Sequence, residues 1–491
     1  MKKAFLSLSL AMMAFMGLHA ESYTGPIVVN AMGMTRTQTV TVTTTQADNG
    51  LYTLVLEVPI FGTMTMNDVH AATTNGVTVF SAERDVETSM GTMRTMRTIL
   101  FARATNGMMA ANVTLPDRGA TMWFNTVGDH FQLPNSDLEA WTNDNGEPDR
   151  WHGFKTATGT WAWAAPAQLG QSEDVHEGST GNYSAVITAK NAFGTTIANG
   201  TMTSGRLNAG SYSASSTSNN ASTSEDYGED FYMPIDAKPD QFKVWLKYTQ
   251  GTSNANNKAN VSVKTFDGTY YQEPIDKTYT NLSGSIVGGE IAACGWTQFT
   301  FPFDYDSYAA NNAETKAIFV TVSTNANPGQ GSNNDMVYID DMELVYLGSM
   351  SDLRYKGETI NGWNPAVTTY SMELQGEPNL DDFTATIEGA SAVLGKSMEQ
   401  NADGSYRIAI SVVSGDLQAG ACYIINATVA ATERPGDVND DGIVDIGDIT
   451  ALIARVLGSG QVIESRADLN ADGLIDVQDV TALIAMVLGS H

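Results

Sequence analysis

A duplicated acidic loop near the C-terminus constrains this chain more than any other stretch. The first copy reads Asp437-Val438-Asn439-Asp440-Asp441-Gly442-Ile443-Val444-Asp445-Ile446-Gly447-Asp448, and the second reads Asp468-Leu469-Asn470-Ala471-Asp472-Gly473-Leu474-Ile475-Asp476-Val477-Gln478-Asp479. Ca²⁺ is a hard cation that takes roughly six to eight oxygens, and a twelve-position loop with glycine at its sixth position supplies them. In the first copy the oxygens come from Asp437, Asn439, Asp441, the carbonyl of Ile443, Asp445 and Asp448. In the second they come from Asp468, Asn470, Asp472, the carbonyl of Leu474, Asp476 and Asp479. Gly442 and Gly473 stand where the backbone turns too sharply for a side chain. Val444 and Ile475, at the eighth position, are expected to pair the loops across a short bridge. Solvated acidic turns are the bland alternative, but chance would not repeat every ligand with glycine at the same offset.

Each loop runs into an apolar helical pattern: Ile449, Leu452, Ile453, Val456 and Leu457, then Val480, Leu483, Ile484, Val487 and Leu488. Gly458 and Gly489 are natural stops. No helix precedes either loop, and the last ligand is Asp where calmodulin-type loops carry a bidentate Glu. In these features Gly436 to Gly489 resembles a type I dockerin, with loops of the EF-hand kind. The resemblance implies two Ca²⁺ ions and a cohesin-type protein partner. It implies that the partner touches the tenth and eleventh loop positions and the outer helix face. Here these are Ile446, Gly447, Thr450 and Arg455 in one copy and Val477, Gln478, Thr481 and Met486 in the other. Many type I members carry a Ser-Thr pair where this chain has Ile446-Gly447 and Val477-Gln478.

The remaining sequence is β-rich and acidic. The formal net charge is -29, with 26 Lys and Arg. That excludes the basic footprint of a nucleic-acid binder and disfavours anionic lipid. Lys2 and Lys3, the apolar run Ala4 to Leu18 and the triplet Leu18-His19-Ala20 predict a signal peptide over 1–20. The mature chain is then exported: secreted, periplasmic or on the cell surface. No later apolar stretch has membrane length. Cys294 and Cys422 are the only cysteines and fall in different expected domains, so two buried free thiols are expected.

Between 21 and 125 the chain alternates apolar and polar residues, as in Tyr52 to Val58, with turns at Asn49-Gly50, Asn75-Gly76 and Asn106-Gly107. Even hairpins predict an antiparallel barrel. Tyr23-Thr24-Gly25 and Val58-Pro59-Ile60-Phe61-Gly62 resemble a bacterial calycin-like domain. The methionines from Met90 to Met109 either fill such a barrel or line a ligand cavity in it.

Tryptophan becomes frequent from 126 to 347, and strands become short and turn-separated, which predicts a β-sandwich. Leu138-Glu139-Ala140-Trp141, Trp151-His152-Gly153, Gly181 to Ala185, Asn199-Gly200-Thr201, Lys243 to Tyr248 and Val337 to Leu344 resemble the PCMD carbohydrate-metabolism domain. The resemblance implies a jelly roll similar to carbohydrate-binding modules. Flat aromatic faces stack on sugar rings, so Trp151, Trp161, Trp163, Tyr232 and Tyr271 are the glycan-binding candidates, weighed against the core role that most large aromatics have. Trp161 and Trp163 lie between Gly159 and Pro166 and, two apart on a strand, would share one face. Jelly rolls of this kind imply a structural Ca²⁺ held by Glu139 with Asp340 or Asp341.

Strand patterns at Leu353 to Lys356, Thr368 to Leu374, Phe383 to Ile387, Tyr406 to Val413 and Cys422 to Val429 place a smaller unit at 348–432. Asn361 to Pro365, Thr369-Tyr370 and Asp403-Gly404 resemble an immunoglobulin-like sandwich, read as a spacer before the dockerin at 433–491. The fold class is therefore multidomain and mostly β, ending in a small α-helical calcium-binding segment. No catalytic residue emerges. Glycoside hydrolysis needs two carboxylates across a cleft, and Glu225, Asp226, Glu229 and Asp230 read as a solvated loop. His130, His152 and His176 lack zinc-site spacing. The sequence points to a non-catalytic carbohydrate-binding protein with a docking tail. A polysaccharide hydrolase and a carrier of an apolar ligand in the barrel are the alternatives.

Two short helices bury too little surface to fold unaided, so calcium binding and folding are expected to be coupled in the tail. A chelator should abolish the helical circular dichroism of the segment 433–491, and an unchanged spectrum would contradict the coupling.

Overall fold

The computed structural model describes residues 19–48, 50–58, 61–74, 77–88, 94–105, 107–126, 130–192, 196–430 and 434–489. Residues 1–18 of the expected signal peptide lie outside them, as do Asn49, Pro59-Ile60, Asn75-Gly76, Met90 and Asn106. The chain divides into two compact units. The first runs to Thr369 and adds Leu380–Met398 and Ile408–Ile424; the second holds Tyr370–Asn379, Glu399–Arg407 and the chain from Ile425 onward.

The first unit opens with a closed barrel of β1 (His19–Ala31), β2 (Met34–Gln46), β3 (Tyr52–Val58), β4 (Gly62–Thr74), β5 (Val77–Thr88), β6 (Arg94–Thr105), β7 (Met108–Leu115) and β8 (Ala120–Asn125). Neighbours pair antiparallel, and β1 closes on β8 with Ile27 opposite Phe124. Alternation decides which face is which. Along β1, Tyr23, Ile27 and Val29 point inward, while Ser22, Thr24 and Asn30 face solvent. This is the reverse of the apolar-out pattern of a strand in lipid. An eight-stranded barrel is just wide enough for its own side chains. Leu54, Leu56, Met64, Met66, Leu100 and Met109 fill it and leave a cavity of about 30 Å³. Met96 and Met109 are core residues, and this cavity has room for about one water molecule.

The central part is a sandwich. Thr201–Thr203, Ala317–Ser323, Ala259–Phe266 and Leu282–Ile286 form one layer; Cys294–Asp304, Gln241–Thr249, Met336–Val345, Ser184–Thr188 and Leu169–Ser172 form the other. The layers join where Ser285 and Ile286 pair with Asp304 and Phe303. Phe242, Val244, Leu246 and Tyr248 meet Val261, Val263, Val320 and Val322 in the core between them. Each such buried side chain contributes about 1.5–3 kcal/mol. A three-stranded sheet (Arg206–Ala209, Asn219–Thr223, Tyr271–Glu273) flanks the first layer over a second cluster of Leu207, Phe266, Tyr271 and Phe319.

The strands after Gly348 form a three-stranded sheet (Glu358–Thr359, Ser349–Tyr355, Phe383–Glu388) and a four-stranded one (Thr369–Leu374, Gly420–Val429, Tyr406–Val413, Val393–Gln400). Val393–Gln400 escaped the sequence reading. A free spacer is not what the first unit shows. Val413 and Leu417 pack with Val79 and Ala110 of the barrel, the Asn112 amide donates to the Leu417 carbonyl at 2.9 Å, and the Ser411 hydroxyl donates to that of Ser81 at 2.8 Å. The Asp240 carboxylate also accepts the backbone N–H groups of Leu347 and Ala390, each at 2.7 Å. Cys294 and Cys422 are both half-buried, where buried thiols were expected.

In the second unit the acidic repeats carry α1 (Ile446–Val456), α2 (Glu464–Ala467) and α3 (Val477–Gly489). Val438, Leu452, Ala467, Val480 and Leu483 make its core, with Val444 and Ile475 packed against it. The two eighth-position residues serve that core; among the described residues no β-bridge joins them. No described helix is long and apolar enough to cross a membrane.

Candidate functional site

A groove of about 540 Å³ lies on the outer face of the sandwich's first layer. Alternation builds its floor. In Ala259–Phe266 the buried Val261 and Val263 point to the core, so Asn260 and Ser262 point outward. Opposite them, Ser323 pairs with Asn260 and Thr321 with Ser262. One wall comes from the three-stranded sheet, through Asn208, Asn220 and Glu273. Asn199 and Asn325 add two further amides to the lining.

Trp161, Pro166 and Tyr212 give the groove an apolar side. Trp161 is held by backbone: its N–H donates to the Ala209 carbonyl at 2.8 Å, while the Thr158 N–H donates to the Leu207 carbonyl at 2.8 Å and the Ala209 N–H to the Thr158 carbonyl at 2.7 Å. Gly159, at φ +102°, makes that approach possible, because a Cβ there would stand 2.5 Å from the Ala209 carbonyl oxygen. Trp161 and Trp163 lie on a 3₁₀ turn, Ala162–Ala164 and its cap, not on a strand. Their rings still stack, 6.4 Å apart and 28° from parallel, with Trp163 80% exposed. Tyr212 meets Trp161 edge-on at 6.0 Å.

The other three aromatic candidates are corrected. Trp151 is fully buried, with its indole N–H donating to the carbonyls of Pro134 and Asn135, so its ring serves the core. Tyr271 is buried and does not line the groove; its hydroxyl donates at 2.9 Å to Glu273, which does. Tyr232 is half-buried against the second cluster, away from the groove. The Ser/Asn-rich tract from Ser211 to Ser224 contains a strand, Asn219–Thr223, and supplies Tyr212 and Asn220 to the groove.

Glu273 is the one carboxylate among the lining residues. Its Oε1 accepts the hydroxyls of Ser262 and Tyr271, both at 2.9 Å, and lies 3.8 Å from Lys264 Nζ. Glu225, Asp226, Glu229 and Asp230 are exposed on two 3₁₀ turns and do not line the groove.

A second cluster lies at the middle of Met336–Val345. His176, Asp340 and Asp341 bring one ligand atom each within 4.8 Å of one another. His176 Nδ1 faces the Glu177 carbonyl at 2.9 Å, and Nε2 faces Asp341 Oδ2 at 2.7 Å. Burial disfavours the charged ring, but these partners outweigh it and hold His176 above the ordinary imidazole range. Asp340 is buried; its Oδ1 accepts the Asp341 N–H, and its Oδ2 has no partner among the described residues. Burial first, then the Asp341 charge, push the Asp340 carboxyl up to about 7, with Glu139 adding to the repulsion. Glu139 Oε1 accepts the N–H groups of Asn182 and Tyr183 at 2.9 and 2.7 Å. A buried carboxylate oxygen without a donor, among other carboxylates, fits a hard cation. Sequence spacing could not bring His176 to this site.

The two acidic loops fold alike. Asp448 Oδ1 accepts the N–H groups of Val438 and Asn439, and Oδ2 accepts that of Asp445. Asp479 does the same for Leu469, Asn470 and Asp476. Asp437 and Asp468 each accept two N–H groups from the turns at Gly442 and Gly473, whose φ angles are +86° and +83°. Asn439 and Asn470 orient Asp441 and Asp472 through backbone N–H bonds, each 2.9 Å. Oxygens of Asp437, Asp441 and Asp448 lie within 4.8 Å of one another. This all-oxygen donor set suits Ca²⁺. Asp445 also caps α1, accepting the Gly447 N–H. The loops differ in one respect. Arg466, buried before the second loop, donates to Asp440 Oδ1 at 2.7 Å and to the Asp437 carbonyl at 3.2 Å in the first. Position four of the second loop is Ala471, which offers no such partner.

The expected partner-binding residues lie on the surface of this unit. Ile446 is 73% and Val477 66% exposed, while Thr450, Gln478, Thr481 and Met486 are also exposed. Gly447 and Arg455 are half-buried, and Arg455 pairs with Glu464 at 2.6 Å. Ile443, Leu457, Leu474 and Leu488 extend the same apolar character, each more than half exposed.

Comparisons with known families agree with this division. Residues 121–345 match the "Putative carbohydrate metabolism domain" family, and residues 435–488 match the "Dockerin type I domain" family. The chain thus carries a PCMD domain and a C-terminal type I dockerin, and its eight-stranded barrel is compatible with a calycin-like fold. Type I dockerins bind calcium. No curated protein matches the chain. Among solved structures, one similar chain is the M60 catalytic domain with the CBM51-1 and CBM51-2 domains of Clostridium perfringens ZmpB; it shares 10% identity over 85% of this chain and 40% of that one, TM-score 0.16. The Clostridium thermocellum xylanase 10B CBM22-1–GH10 modules with xylohexaose share 12% over 49% and 33%, TM-score 0.20. The CBM22-1–CBM22-2 tandem of Paenibacillus barcinonensis Xyn10C shares 10% over 67% and 93%, TM-score 0.21. The first two are spanned over less than half their length, and scores this low establish no common fold.

Proposed function

We propose that this chain is an exported glycan-binding protein whose central domain holds a carbohydrate in the groove beside Trp161 and whose dockerin attaches it to a cohesin. The groove carries the proposal: an apolar aromatic side faces a floor of amides and hydroxyls, the pairing that a sugar ring requires with its C–H face and hydroxyl edge. Glu273 alone among the lining carboxylates favours binding over hydrolysis, which needs two such groups. In this reading residues 1–20 direct export, 21–125 form the barrel, 126–347 bind the glycan, 348–432 form the immunoglobulin-like sandwich and 433–491 dock. Trp161 and Trp163 are retained from the sequence candidates, and Tyr212 joins them. On a panel of polysaccharides the full chain should be retarded by at least one, and Trp161→Ala should weaken that retention about tenfold or more. Retention unaffected by Trp161→Ala would contradict the groove, and reducing ends released by the wild-type chain would make it an enzyme.

Docking rests on Ile446 and Val477, exposed apolar residues in the same position of two similarly built loops. Either copy then suffices. Cohesin modules should capture the calcium-loaded chain, Ile446→Asp or Val477→Asp alone should leave capture largely intact, and the double variant should lose it. Capture of the double variant at the wild-type level would contradict this surface.

Each acidic loop holds one calcium ion through its six ligands, and a third ion sits with Glu139, Asp340 and Asp341. The unpartnered Asp340 oxygen supports the third ion. Metal analysis should find three calcium ions per chain, falling to two in Asp340→Ala; two in the wild type would remove the sandwich site.

A further inference from the structure

The groove's polar lining is electrically lopsided in an informative way. Among the described residues its lining has no lysine, arginine or histidine, and the one carboxylate there, Glu273, already accepts two hydroxyl hydrogen bonds. The cations on the neighbouring strands are engaged elsewhere. Lys264 Nζ donates to the Ser285 hydroxyl at 2.6 Å, the Arg206 guanidinium lies over the Phe231 ring at 5.1 Å, and Lys190 donates to the Ala167 carbonyl. A uronate or sulfate in the groove would leave water without a counter-ion. It would also approach Glu273 on a chain of net charge -29. An amino sugar would find only Glu273, whose charge is already shared with two donors and the nearby Lys264.

Two amides at one end of the groove supply the complementary observation. Asn199 Nδ2 donates to the Asn325 carbonyl at 2.9 Å, and its buried Oδ1 has no partner among the described residues. Asn325 is 3% exposed; its Oδ1 accepts the Asn327 N–H at 2.9 Å, and its Nδ2 has no partner among the described residues. The pair therefore offers one neutral acceptor and one neutral donor, both buried and both from residues that line the groove. Buried amide groups gain most from a ligand that satisfies them. Adjacent hydroxyls of a sugar ring present a donor and an acceptor together.

We propose that the groove takes an uncharged glycan chain and that Asn199 and Asn325 read a pair of adjacent hydroxyls on one of its rings. The inference rests on the glycan-binding reading above and narrows it to a chemical class. A site built to hydrogen-bond a hydroxyl rejects a ligand that lacks it, because its own polar groups are then left unpaired. Trp161 supplies affinity that any pyranose can use; the amide pair supplies the discrimination.

The test is affinity electrophoresis of the full, calcium-loaded chain in gels containing neutral polysaccharides (xylan, β-glucan, mannan, galactan) or anionic ones (polygalacturonate, alginate, heparin), at low and high salt. The expected result is retardation by at least one neutral polysaccharide, insensitive to salt and lost in Trp161→Ala, with no Trp161-dependent retardation by the anionic set. Asn199→Ala and Asn199→Asp should each weaken the neutral interaction about tenfold while the thermal transition stays in place. Trp161-dependent binding of an anionic polysaccharide would overturn the inference and leave the glycan-binding reading standing. Retardation by none of the polysaccharides, or retardation indifferent to Trp161, would overturn both. Unchanged affinity in both Asn199 variants would remove the amide pair from recognition.

Discussion

The strict alternation of side chains along Ala259–Phe266 is the constraint on which the central domain depends. Val261 and Val263 must enter the core between the two layers, so Asn260 and Ser262 are forced onto the opposite face. The same alternation in Ala317–Ser323 adds Thr321 and Ser323 beside them. A polar floor is thus a by-product of building the core. What turns it into a groove is the three-stranded sheet on one side and the turn at Gly159 on the other, which lets the Trp161 backbone approach Ala209. The polar groove is laid on the outside of a packing solution, and a change that shifts the register of either strand would exchange floor for core.

The parts of the molecule differ in how far they can be read from sequence. The calcium loops are legible because all their ligands lie within one short stretch and repeat with Gly442 and Gly473 in step. The barrel is legible because Tyr52 to Val58 and its neighbours alternate cleanly. The groove is not. Its residues come from distant stretches, from Phe154 to Gly329, and each is an ordinary Asn, Ser or Thr in a strand. Trp151 and Trp161 looked alike in sequence, although one is sealed in the core and the other faces the groove. Tyr271 misled in a subtler way, since its ring is core while its hydroxyl supports Glu273. Asn219 and Asn220 were hidden in a tract whose serines and asparagines resemble a linker, though paired strands flank them.

The dockerin shows how a repeat can be both symmetric and unequal. Asp448 and Asp479 organise their loops through the same three backbone donors, and Asp445 doubles as a helix cap. Yet Arg466 reaches from the start of the second repeat to Asp437 and Asp440 of the first, and nothing reciprocates it at Ala471. Outer apolar residues remain matched between the copies, Ile443 and Ile446 against Leu474 and Val477. The inequality is therefore inside, between the loops, while the surface offered to a partner stays nearly two-fold.

A crystal structure of the chain with a neutral oligosaccharide that it retains tests the central claim most directly. The account predicts a sugar ring stacked on Trp161, hydroxyls against Asn199 and Asn325, and no sugar in the barrel. An oligosaccharide seated elsewhere on the sandwich, with the groove beside Trp161 holding only water, would contradict it.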